Sequence, residues 1–218
     1  MDKNEIQAVP IWTRIPTPEF DYLTLMDVLQ DYSKPRDKIT SLMNQGVIQR
    51  IKKGHYVLGE GYRRQPVSRE ILGNQLYGPS YLSLESALQF HGMIPESVQA
   101  VTSVCLGPSR QFQTPLGLFT YRRVPAGGYY FGIRRVELDS QRAYLIAAPE
   151  KALADKLKLY RGGPVKNQRE LAAYLVDDLR IDGDSLSELD HELMMKIATA
   201  YRSRKVQRCA ALLKSIQG

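Results

Sequence analysis

The chain has 218 residues, 43% apolar and 24% charged, a globular composition with room for one large domain or two modest ones. It holds no run of ~18 apolar residues to span a bilayer, and its first residues, MDKNEIQAVPIWTRIP, lack the apolar stretch and small-residue cleavage site of a secretory signal. The net charge of +7 is enough to meet a polyanion but falls short of a ribosome-like excess.

Residues 1–20 place Pro10, Pro16 and Pro18 around Trp12, which predicts an extended arm rather than a packed helix. From Tyr22 to Asp31, Leu25, Val28 and Leu29 recur at i, i+3, i+4, the period of a short amphipathic helix. Ser33 then offers an N-cap, Pro35 suits a first helical turn, and Ile39, Leu42 and Met43 give a second helix to about Gln45. Gly46 is placed to stop it. Two short β-runs, Val47–Ile51 and His55–Leu58, flank the turn Lys52-Lys53-Gly54.

Helix, tight turn, helix and hairpin make a winged helix-turn-helix over residues 21–62. Opposite its apolar stripe the second helix presents Lys34, Asp37, Ser41 and Asn44, flanked by Thr40 and Lys38. Short polar and cationic side chains of this kind reach base edges and phosphates. The expected DNA contacts are Lys34, Arg36, Lys38, Thr40, Ser41, Asn44, Arg50, Lys52, Lys53 and His55. Ser41 and Asn44 would read sequence, while Lys34, Arg36, Lys52 and Lys53 would position the protein on the backbone.

The composition changes at a linker over about 59–66. A helix is expected from Ser68 to Tyr77, then one over Leu84–His91 capped by Ser83, with Ser86 in the place of a capping-box acid. From Gln99 to Ala147 β-rich runs follow one another: Val101–Leu106, Leu118–Arg122, Tyr129–Ile133, Arg134–Leu138 and Arg142–Ala147. They predict a mostly antiparallel sheet, and so an α+β second domain over 67–218 with helices over 149–216. Those helices are expected from Pro149 to Tyr160, Gln168 to Leu179, Leu186 to Tyr201 and Lys205 to Ile216, with a break at 161–164.

Charge is laid down in blocks. Ser33–Arg64 holds eight Lys or Arg against Asp37 and Glu60, and Arg110–Arg135 holds five Arg and no acid. Asp177–Glu192 holds seven acids against Arg180, and Lys196–Lys214 is basic again. Arg63, Arg64, Arg110, Arg122, Arg123, Arg134 and Arg135 are read as an additional basic surface, and the acidic stretch as an internal charge match, a dimer contact or a solvated face. Cys105, Cys209 and the three histidines do not cluster, so neither a metal site, a cofactor nor a disulfide is expected. An enzyme is not expected. Glu137, Asp139, Glu150 and Lys151 hold acids and a lysine, but Glu150 and Lys151 are adjacent and helical, the wrong spacing for the acid-x-Lys metal site of a nuclease.

Three segments resemble one family. Residues 81–96, YLSLESALQFHGMIPE, resemble a signature of the AbiEi-like antitoxins of type IV toxin–antitoxin and abortive-infection (phage-defence) operons. Phe112–Tyr121, with Thr114 and Gly117, resembles that family's strand–turn–strand segment, and residues 146–155, IAAPEKALAD, its second signature. Lys53-Gly54-His55-Tyr56 is similar to its wing, so the resemblance covers about 20–160. It implies a bacterial, cytoplasmic autorepressor that binds inverted repeats ahead of its own operon, self-associates there, and counteracts a toxin of the nucleotidyltransferase fold without a tight complex. The alternatives are a stand-alone winged-helix regulator and an antitoxin acting by direct toxin binding. Both signatures also suit helix starts, with Glu150, Lys151, Asp155 and Lys158 spaced for ion pairs along one helix.

Overall fold

The computed structural model describes residues 10–162, 165 and 167–217. It is α+β. In chain order the strands are β1 (Glu19–Asp21), β2 (Ile48–Lys52), β3 (His55–Leu58), β4 (Ser80–Leu82), β5 (Val101–Cys105), β6 (Arg110–Thr114), β7 (Gly117–Arg123), β8 (Ile133–Glu137) and β9 (Ala143–Ala147). The α-helices are α1 (Tyr22–Val28), α2 (Pro35–Asn44), α3 (Arg69–Gln75), α4 (Leu84–Phe90), α5 (Pro149–Leu159), α6 (Gln168–Ala173), α7 (Gly183–Ser187), α8 (His191–Tyr201) and α9 (Arg204–Gln217). Among the described residues no helix is long and apolar enough to cross a membrane. The chain divides into two compact units. One runs to Leu72 and includes Thr114–Leu116; the other holds Gly73–Gln113 and the chain from Gly117 onward. The division falls within α3.

In the first unit, β1, β3 and β2 form an antiparallel sheet in that order, with Phe20 opposite Tyr56 and Arg50 opposite the same residue on the other side. Asp21 starts α1: its carboxylate accepts from the Thr24 amide and hydroxyl, both at 2.8 Å. Lys34, not Ser33, is the N-cap of α2, and Pro35 sits in the first turn as expected. The helix ends where Gly46 takes a left-handed φ of 69°. There the Gly46 and Val47 amides donate to the carbonyls of Met43 and Leu42, both at 3.0 Å, the pairing of a Schellman end.

The described part of the arm, predicted as extended rather than as a packed helix, forms no α-helix before Tyr22 but does pack into the core. Of its residues 1–20, 1–9 lie outside the described part. Ile11–Arg14 forms a 3-10 turn, Glu19–Asp21 is a sheet strand, and Ile11, Ile15 and Phe20 are buried with Leu25, Leu29, Ile39, Leu42 and Ile48. Proline excludes an α-helix there but leaves a turn and an edge strand open, and the apolar residues between the prolines supply the drive to pack.

The second unit is built on a six-stranded sheet of order β6-β7-β5-β4-β9-β8. The expectation of a mostly antiparallel sheet is met in part, for the sheet is mixed. β4–β5 and β8–β9 are antiparallel, but β5–β7 and β4–β9 are parallel. The sheet also starts earlier than residue 99, because the three buried residues of β4 lie between β5 and β9. The aromatic run Tyr129–Ile133 is not a strand; Ala126–Gly128 makes a 3-10 turn, and β8 begins only at Ile133. Gly132 has φ 70°, and a Cβ on Gly128 would lie 2.2 Å from the Tyr201 ring, so these glycines let the backbone turn close to α8. The predicted break at 161–164 lies partly outside the described residues. Two of the seven acids in 177–192 serve as helix caps. Asp182 accepts from the Ser185 amide at 2.7 Å, and Asp190 from those of Glu192 and Leu193 at 2.8 and 3.0 Å.

Candidate nucleic-acid interface and basic groove

α2 turns Ile39 and Leu42 into the core of the first unit. With about 3.6 residues per turn, Arg36, Thr40 and Asn44 then share one stripe of the helix, and all three are exposed. Lys34 is exposed at its start. Ser41 is half-buried and its hydroxyl accepts from the Gln45 side chain at 2.8 Å, so it is less free to read a base than expected. Thr40 donates to the Arg36 carbonyl, and Lys38 is half-buried with its ammonium 5.4 Å from the Tyr32 ring centre.

The β2–β3 turn is held to the first helix by the Tyr22 amide, which donates to the Gly54 carbonyl at 2.9 Å. Lys53 is exposed at the turn and Arg50 on β2. Lys52, at the end of β2, is half-buried, and burial lowers its pKa. Arg64 is exposed, whereas Arg63 lies 3.7 Å from Glu60.

His55 is half-buried. Burial and the neighbouring Lys52 push its imidazole below the ordinary range, Asp21 pulling the other way. The shift favours the neutral ring. Because the folded state binds this proton more weakly than the unfolded chain, its stability contribution is present above pH ~6.5 and falls as the pH drops toward the folded value. Urea unfolding of the wild type and of His55→Gln at pH 7.5 and 5.5 checks this: the wild type should lose more stability on acidification than the variant. Parallel losses would show that His55 does not carry the dependence.

The five arginines of residues 110–135 do not form one surface. Arg110, Arg122 and Arg123 lie on β6 and β7, and Arg134 and Arg135 on β8 at the opposite edge of the sheet. Four strand spacings separate β7 from β8, roughly 19 Å. Arg135 is paired with Glu137.

Arg110 and Arg122 instead line a groove of about 620 Å³ in the second unit. Its walls are β6, β7 and the ends of α4 and α5, and Lys156 and Arg161 add two further cations. Glu85 is the one carboxylate among the lining residues and is paired with Lys156. Leu84 on the groove wall has φ 56°. A left-handed conformation costs a leucine ~1–3 kcal/mol. It is held there by its neighbour: the Ser83 amide donates to the Thr102 carbonyl at 3.0 Å, and the Ser83 hydroxyl to Asp155 at 2.7 Å.

Ser83 does not cap α4 with its side chain, because that hydroxyl belongs to a buried network. Asp155 accepts from Ser83 and from the Tyr81 hydroxyl at 2.8 Å on one oxygen, and from Lys151 at 2.9 Å and Tyr201 on the other. Lys151 donates also to the Gly128 carbonyl at 2.5 Å and to Tyr201. Lys151 and Asp155 are both 0% exposed. Burial lowers the lysine's pKa against the pull of Asp155, and burial with the Asp155 charge raises those of Tyr81 and Tyr201.

Segments 81–96 and 146–155 are thus neighbours in space. Leu82 pairs with Ile146 in the parallel β4–β9 ladder, and His91 Nε2 lies 2.8 Å from the Ala147 carbonyl. Glu150 accepts from the Asp190 amide at 3.0 Å and lies buried on α5. Asp139 is paired with Arg142, so Glu137, Asp139, Glu150 and Lys151 are each engaged separately. Among the described residues no three His, Cys, Asp or Glu side chains come together as a metal site. Cys105 and Cys209 are buried free thiols, and burial pushes Cys209 up to about 12.

No family model matches the chain, and no curated protein matches it. Among solved structures it is similar to the RV2827C protein from Mycobacterium tuberculosis, with 17% identity and a TM-score of 0.50, covering 95% of this chain and 82% of that one. At this identity the likeness is one of fold.

Proposed function

We propose that the chain is a DNA-binding antitoxin of the AbiEi-like kind that represses its own operon, its first unit acting as a winged helix-turn-helix. The observation that carries the DNA-binding part is the exposed stripe Arg36, Thr40 and Asn44 on α2. Exposed Lys53 stands at the tip of the hairpin that follows it in the chain. A helix anchored by an apolar face and presenting short polar side chains enters a major groove, and a basic turn meets the flanking backbone. α1 and the strand β1 complete a small core that holds both elements.

The antitoxin part rests on the resemblance of residues 81–96 and 146–155. Their joining in one network supports reading them as marks of a shared fold rather than as a reactive site, since Lys151 and Asp155 have no access to solvent. Counteraction of a nucleotidyltransferase-fold toxin is then a property of the second unit.

A gel-shift titration against the DNA upstream of the chain's own gene, with scrambled competitor at fixed salt, tests repression. Selective binding supports it. Equal binding to both DNAs would overturn it and leave toxin neutralisation, assayed by co-expression with the neighbouring gene, as the activity to examine.

A further inference from the structure

We propose that the basic groove of the second unit binds a small phosphorylated ligand of nucleotide size, a nucleoside di- or triphosphate. Arg110, Arg122, Lys156 and Arg161 converge on one recess of about 620 Å³. Like charges so gathered repel one another, and the single lining carboxylate, Glu85, is already committed to Lys156. An anion with several oxygens reverses the sign of those interactions, and guanidinium groups bind phosphate oxygens bidentately.

The chain's geometry fixes this convergence. Thr120 and Arg122 are two residues apart on β7 and so project from the same face of the sheet. Thr120 lies opposite Thr102 in the parallel β5–β7 ladder, and both line the recess. The strained Leu84 lies in the same wall, and backbone strain that a structure maintains gathers at binding sites.

Size and lining favour a mononucleotide over a nucleic-acid strand. The volume falls within the ~300–1,000 Å³ of small-molecule clefts. Leu84, Leu159 and Tyr160 supply an apolar and aromatic part beside the cations, suited to a base. A duplex backbone asks instead for cations spread along a row. This site does not depend on the DNA reading, because it uses other residues on the other unit.

Isothermal titration of the full chain with ATP, GTP, inorganic pyrophosphate and adenosine, without metal, tests the proposal. One equivalent of a nucleoside triphosphate should bind, pyrophosphate more weakly and adenosine hardly at all. Arg122→Glu and Arg161→Glu should each weaken binding about tenfold or more. Arg134→Glu, on the far edge of the sheet, should leave it unchanged. Circular dichroism of each variant confirms folding, and the two separate reversals keep the test decisive if one fails to fold. No binding by any nucleotide at millimolar concentration, or equal weakening by Arg134→Glu, would overturn the proposal. Affinity that grows with the length of a single-stranded oligonucleotide would overturn it in favour of nucleic acid.

Discussion

Asp155→Ala should lower the unfolding free energy by roughly 3–5 kcal/mol, the loss expected when one partner of a buried ion pair is removed. The carboxylate is the common acceptor for Tyr81, Ser83, Lys151 and Tyr201, which come from β4, from the residue before α4, from α5 and from α8. Its removal strands an ammonium that is 0% exposed and leaves three hydroxyls short of their acceptor. In thermal melts the change corresponds to a drop of roughly 6–20 °C, at ~2–4 °C per kcal/mol for a chain of this size.

The pH profile separates charge from packing. Burial already depresses the Lys151 pKa, and loss of Asp155 takes away the charge that raises it. The folded variant then binds that proton more weakly than the unfolded chain, so its stability rises with pH. Asp155→Ala should therefore recover stability between pH 7 and 9 relative to the wild type, below the range in which tyrosines of the unfolded chain ionise. Adding Lys151→Met to Asp155→Leu removes both charges but leaves the hydroxyls unpaired, which places the double variant between Asp155→Ala and the wild type. Denaturant titration measures all three. A single variant within about 1 kcal/mol of the wild type would deny the network its role.

This network also marks where the sequence stops being readable. Lys151 and Asp155 sit four apart on a helix, and from the sequence they are an ordinary surface pair. What buries them is chain that lies 46 to 74 residues from Asp155, in Tyr201, Ser83 and Tyr81. No local period carries that information.

α2 is the opposite case. First-turn proline, a 3–4 apolar spacing and a stopping glycine all act within one helix, so Pro35, Ile39, Leu42 and Gly46 define it from the sequence. β4 was hidden because three residues buried on every side show no alternation, and only its neighbours β5 and β9 make it a strand. Tyr129–Ile133 shows the reverse error, aromatic composition outweighed by glycine turns. The arginine block was visible as charge, but strand order decides which members meet. β7 carries Arg122 into the groove beside Lys156 and Arg161, two cations that their own segments do not single out, and β8 takes Arg134 and Arg135 elsewhere.

At the DNA, the proposed function predicts that two kinds of substitution act differently. Arg36→Ala with Lys53→Ala removes two exposed cations, and each phosphate contact contributes about 0.9 to the log–log salt slope of binding. The double variant should flatten that slope by roughly 2 and weaken operator and scrambled DNA alike. Asn44→Ala removes an exposed amide from the stripe of α2 that faces away from Ile39 and Leu42. It should leave the salt slope unchanged and cost roughly 1–3 kcal/mol of discrimination at one base pair. Both sets lie on the surface, where substitutions shift stability by about ±0.5 kcal/mol, so a change in binding is not a change in folding. Titrations at several salt concentrations, against the operator and its single-base variants, measure both effects. If Asn44→Ala preserves discrimination at every base while Thr40→Ala abolishes it at one, α2 still reads the groove, its contact displaced by about one helical turn, roughly 6 Å, from Asn44 toward Thr40 and Arg36. If neither changes discrimination and the double cation variant leaves the slope intact, α2 and the hairpin do not bind DNA.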